Sequence, residues 1–60
     1  MSYEEDAEKL RTMLWRLNLL NREAAEYLGV TERTIYWWLS GTKAIPKMAF
    51  LALKLKRLQK

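Results

Sequence analysis

The chain has 60 residues, half of them hydrophobic and 30% charged, which suits a single small globular domain spanning 1–60 and is far from the composition of a disordered chain. It contains no cysteine and no histidine, which excludes a disulfide framework, a thiolate or imidazole metal site, and catalysis by either residue. The net charge of +4 is unevenly placed: Glu32 is the one acid after Val30, and Lys43, Lys47, Lys54, Lys56, Arg57 and Lys60 meet no acid from Thr42 onward, a pattern that suits either a polyanion or a solvated helix face.

The opening MSYEEDAEKL has acids where a signal peptide needs bases, and no apolar run approaches the length of a bilayer span, so a cytoplasmic protein with no membrane partner is expected. Ser2 followed by Glu5 reads as a capping box that starts a first helix, with Glu4, Glu5 and Asp6 at its positive end. Leu10, Met13, Leu14 and Leu17 follow at helical spacing and form its core stripe. Trp15 falls off that stripe, either partly exposed or packed against the C-terminal helix, the second being favoured. Asn21 is a suitable N-cap for a short helix from Arg22 to Leu28, and Gly29 a left-handed C-cap. Thr31 caps a third helix from Glu32 to about Ser40, which Gly41 closes. Pro46 suits the first residue of a last helix that runs to Leu58.

Two short helices joined by a few residues pack steeply on each other. Such a unit needs a small residue at the crossing, a glycine in the turn and apolar residues locking the angle. Ala25, Gly29 and Ile35 meet those demands, with Leu28, Val30 and Trp38 completing the shared core. The spacing, the caps and the Ser40-Gly41 closure predict a DNA-binding helix-turn-helix over 21–40, within an all-α bundle.

The segment LNREAAEYLGVTERTIYWWLSGTKAIP, about residues 19–46, resembles the Cro/C1-type (XRE-like) family of phage and bacterial repressors. Its Trp37-Trp38 pair before Leu39-Ser40 is similar to the motif of small anti-CRISPR-associated repressors. The resemblance implies a lambda-repressor-like bundle of four to five helices, transcriptional repression as the default activity, and a bacterial or phage-infected cell. Many family members have glutamine where Asn21 stands, and this recognition helix is unusually aromatic. Both departures prevent an operator sequence from being inferred by analogy.

On a recognition helix entering the major groove by its N-terminal turn, the base-reading candidates are Arg33, Glu32, Tyr36 and Trp37. Arg33 can bond O6 and N7 of guanine, the alternative being a phosphate contact or plain solvation. Glu32 can accept from a cytosine amine, although an acid in a first turn is explained by the helix dipole alone. Trp37 and Trp38 point about 100° apart, so both cannot enter one core. Trp38, three residues after Ile35, is assigned inward. That leaves Tyr36 and Trp37 for the groove, or for packing against the last helix. Phosphate contacts are expected from Asn21 and Arg22 at a helix N-terminus, and from Thr31, Thr34 and Lys43 with lower weight.

The last helix carries apolar residues too widely spread for one small core. Met48, Leu51, Ala52, Leu55 and Leu58 are expected inward, and Ala49, Phe50 and Leu53 outward as a dimer interface. The alternative is that every apolar residue packs within one subunit. The expected partners are a double-stranded, inverted-repeat DNA operator and a second copy of the chain, because one module reads too few bases. The competing reading is a protein-interaction module on the same fold, such as an antitoxin or phage accessory protein; a membrane-active basic tail is disfavoured. No metal, cofactor, small-molecule ligand or catalytic residue is expected, because the carboxylates lie in first turns or on solvent faces without a paired acid and base.

Overall fold

The computed structural model describes residues 3–58, and among them the secondary structure is entirely helical: α1 (Glu4–Leu17), α2 (Asn21–Leu28), α3 (Glu32–Leu39) and α4 (Lys47–Leu58). In α1 the stripe buries Leu10 and Leu14, half-buries Met13 and Leu17, and adds Ala7 to the interior. Glu4, Glu5 and Asp6 occupy its first turn and Arg16 its last, so both ends complement the helix dipole. The residue before the helix is Tyr3, which makes no side-chain capping bond. The expected box on Ser2 lies outside the described residues. Asn18 ends α1 at φ 57°, a left-handed conformation asparagine tolerates. Leu19 N–H then donates to the Leu14 carbonyl at 2.9 Å and Asn18 N–H to the Trp15 carbonyl at 3.1 Å, which satisfies two of the carbonyls in the last turn of α1.

The start of α2 corrects the sequence reading by one residue. Leu20, in extended backbone, is the N-cap, and Asn21 is the first helical residue. Leucine offers no side-chain acceptor to the first-turn N–H groups, but the reciprocal half of a capping box is present: Leu20 N–H donates to Glu23 Oε1, three residues on, at 2.8 Å. Gly29 closes α2 at φ 73°, where a side chain would be strained, and Val30 N–H donates to the Ala25 carbonyl at 3.0 Å. Thr31 caps α3 as expected, its Oγ1 accepting from Thr34 N–H at 3.2 Å. After Leu39, Ser40 takes the C-cap and Gly41 the left-handed position, with Thr42 N–H returning to the Trp37 carbonyl at 3.0 Å. The expected first residue of the last helix, Pro46, sits just before it and its carbonyl accepts from Ala49 N–H at 3.0 Å.

One core joins all four helices: Leu10 and Leu14 of α1, Ala24 and Ala25 of α2, Ile35 and Trp38 of α3, and Ala49 and Leu53 of α4, with Ile45 from the preceding loop. Ala24 and Ala25 let α2 approach α3 closely, and Leu28 and Val30 fill the edges of the contact. α1 packs against both α3 and α4. Two hydrogen bonds with no local counterpart fasten the bundle: Arg11 Nη2 donates to the Leu39 carbonyl at 3.1 Å, and Tyr27 Oη to the Ala52 carbonyl at 2.9 Å.

Two expectations about burial are overturned. Trp15 is 81% exposed, so it packs against neither α4 nor the core. On α4 the two faces are exchanged: Leu53 is fully buried, Ala49 is buried and Phe50 half-buried, whereas Met48 is 74%, Leu51 56%, Leu55 57% and Leu58 73% exposed. Ala49, Phe50 and Leu53 are therefore core residues and not a dimer surface. The reason is steric. The buried cluster meets α4 at a small residue, Ala49, and at Leu53, and turning the Met48, Leu51, Leu55 and Leu58 side inward would put larger side chains where Ala49 fits. Lys9 also lies over Phe50, its Nζ 5.8 Å from the ring centroid.

Candidate nucleic-acid interface

Capping by Thr31 fixes the rotation of α3. With Ile35 and Trp38 turned into the core, the helical repeat of about 100° per residue leaves Glu32, Arg33, Tyr36, Trp37 and Ser40 on the opposite side. These five residues line one shallow open groove. Arg33 and Glu32 are exposed, Tyr36 is 67% exposed and Trp37 36%. The four base-reading candidates thus share a face, and the expected division of the tryptophan pair holds in space: Trp38 is inside and Trp37 outside. The groove that Tyr36 and Trp37 line includes no residue of α4.

Trp37 is held in place from two sides. Lys43 Nζ lies over its ring at 3.9 Å from the centroid, a cation–π contact. Its carbonyl accepts from Ser40 Oγ at 3.0 Å, and Ser40 Oγ pairs with Thr42 Oγ1 at 2.7 Å. Lys43 therefore adds a positive charge at the C-terminal end of the groove and also steadies an aromatic ring within it. The sequence reading gave Ser40 only a closing role and did not link Lys43 to Trp37. The signal was present in the aromatic followed six residues later by a base across a glycine turn, but only the fold brings the two together.

A second shallow surface adjoins the first through Glu32, which lines both; its other members are Leu19, Leu20, Asn21 and Arg22. The first turn of α2, with exposed Arg22 and half-buried Asn21, is thereby set beside the first turn of α3. Two helix N-termini and a guanidinium on one surface favour an anion there, with the Glu32 carboxylate opposing it locally. Thr31 and Thr34 are partly committed elsewhere: their hydroxyls are 2.9 Å apart, and Thr31 Oγ1 also caps the helix. One hydroxyl hydrogen of the pair remains free to donate outward.

Among the described residues no group of three or more acidic, histidine or cysteine side chains could hold a metal ion, and no helix is long and apolar enough to cross a membrane. Arg11 is a further residue bearing on the site: by capping the Leu39 carbonyl it ties the end of α3 to α1, and its sequence position gives no hint of this. Comparison with known proteins finds no match to any family model, to any curated protein or to any solved structure.

Proposed function

We propose that the chain binds double-stranded DNA sequence-specifically, with α2, the Gly29-Val30-Thr31 turn and α3 acting as a helix-turn-helix of the Cro/C1 type and α3 lying in the major groove. The observation that carries this reading is the single exposed face that joins Arg33, Tyr36 and Trp37 of α3 to Arg22 at the start of α2. Arg33 reads a guanine through two hydrogen bonds, and Tyr36 and Trp37 offer apolar surface to a thymine methyl or to the sugar edge. Arg22 and the α2 N-terminus hold a phosphate, and Lys43 a second one beyond Trp37. Glu32, between the two surfaces, disfavours a phosphate at its own position and so helps to set register.

A module of this size reads few base pairs, so two copies on an inverted repeat, with half-site centres about 10 to 11 base pairs apart or a multiple of that, is the arrangement we propose for the operator. Occupancy of a promoter by such a pair would repress transcription in the cytoplasm of a bacterial or phage-infected cell. Selection of bound duplexes from a random pool tests the reading: recovery of a common half-site, in inverted repeat, is expected. A pool that stays random after repeated rounds would overturn it.

A further inference from the structure

The outward side of α4 is unused by the core and by the α3 face. Met48, Leu51, Leu55 and Leu58 stand on it at steps of three, four and three residues, the a and d positions of two successive heptads. In that register Leu53 takes the position opposite the seam and is fully buried, so the helix is anchored by one side and free on the other. The g positions are Lys47 and Lys54, both exposed, and the e position between them is Ala52. Met48 and Ala52 also line an apolar cleft together with Tyr27, Leu28, Val30 and Pro46. Lys56 closes this side, its Nζ 4.8 Å from the Tyr27 ring centroid. A seam of large apolar side chains, a cleft along its edge and bases on both flanks form a receptor for one amphipathic helix.

The flanking charges decide what that helix is. α4 carries four bases, Lys47, Lys54, Lys56 and Arg57, and no acid. Pairing of two copies in antiparallel fashion would set Lys47 and Lys54 against the same lysines of the other copy, and parallel pairing would set them against Ala52, with no opposite charge in either case. A helix with acids flanking its own apolar seam meets both lysines in either direction. We propose that the outer face of α4 is a docking site for an acidic amphipathic helix of another protein, separate from the α3 face and independent of whether that face binds DNA.

The probe is a three-heptad peptide with leucine at a and d and glutamate at e and g, whose own charge keeps it from pairing with itself, compared with the same peptide carrying lysine at e and g. The full chain is expected to bind the glutamate peptide and not the lysine peptide. Leu51→Ser with Leu55→Ser, at exposed positions, should abolish binding while the thermal unfolding transition stays cooperative. Lys47→Glu with Lys54→Glu should weaken the glutamate peptide by about tenfold and create binding of the lysine peptide, a charge reversal that a loss of folding could not produce. Equal binding of both peptides, or of neither, overturns the proposal. Self-association by sedimentation that is lost with Leu51→Ser and Leu55→Ser assigns the seam to a second copy instead. Binding of phosphatidylglycerol vesicles without binding of the glutamate peptide assigns it to an anionic membrane, and either result also overturns the proposal.

Discussion

The exchange of faces on α4 has a direct energetic consequence, measurable by comparing Leu53→Ala with Leu55→Ala. The two leucines are two residues apart on one helix and have identical side chains, but Leu53 is fully buried and Leu55 is 57% exposed. Removing a buried leucine to alanine costs about 2 to 5 kcal/mol, the sum of lost transfer energy and the cavity left behind. Leu53 belongs to the same buried cluster as Leu10, Leu14 and Ala49 and is itself fully buried, so the middle of that range is the expectation. A chain of this length has roughly 3 to 9 kcal/mol of total stability, so Leu53→Ala should leave the protein partly unfolded at room temperature or lower its midpoint by more than about 10 °C. Leu55→Ala loses little burial and gains helix propensity, and should shift stability by less than about 0.5 kcal/mol. Urea titration followed by far-ultraviolet circular dichroism, at two protein concentrations tenfold apart, reads both. If Leu53 lay in a dimer interface, its cost would depend on concentration. Equal effects of the two substitutions, or a loss for Leu53→Ala that disappears at high concentration, would refute the assignment of the inward face.

Arg33→Ala, at an exposed side chain, should lower affinity for the selected duplex by about 1 to 3 kcal/mol and relax preference at one base pair per half-site, with the melting midpoint unchanged; equal losses on selected and random duplexes would move Arg33 to the phosphates. Arg22→Ala and Lys43→Ala should each weaken binding to all sequences and flatten the salt slope by about one. Lys43→Ala should in addition alter tryptophan fluorescence, because the ammonium over Trp37 is removed, and an unchanged spectrum would show that the stacked contact does not persist in solution. Gly29→Val should cost about 1 to 3 kcal/mol in urea unfolding through backbone strain alone, since space beside Gly29 is open and only its positive φ resists a side chain; a neutral effect would mean that the turn relaxes.

What the sequence made legible was what local chemistry decides. Thr31 has a side-chain acceptor, Gly29 and Gly41 need no Cβ, and Pro46 cannot donate, so the turn, the ends of α3 and the start of α4 follow from residue type to within a residue. Asn21 misled because an asparagine is the better cap in isolation, while the helix starts one residue earlier, where Glu23 reaches back to accept from the Leu20 N–H. The inward side of α4 was not legible, because both of its sides are apolar at helical spacing and the larger residues suggested the core. The choice rests on what the other three helices present to it, which no local pattern encodes. Trp15 was misplaced for the same reason, since local spacing does not say whether another helix covers it. On the α3 face, the periodicity separating Ile35 and Trp38 from Arg33, Tyr36 and Trp37 was readable from the sequence. The contacts that steady the face, Lys43 on Trp37 and Arg11 on the Leu39 carbonyl, depend on chain closure.

The most direct test of sequence-specific binding is the ratio of affinities of the wild-type chain for a duplex enriched from a random pool and for a scrambled duplex of equal length, both at physiological salt. Reading of bases by the α3 face predicts a preference of about a thousandfold or more, with a steep fall in both affinities as salt is raised. Equal affinities for the two duplexes, falling together with salt, would contradict base readout and leave only attraction between a basic chain and a polyanion.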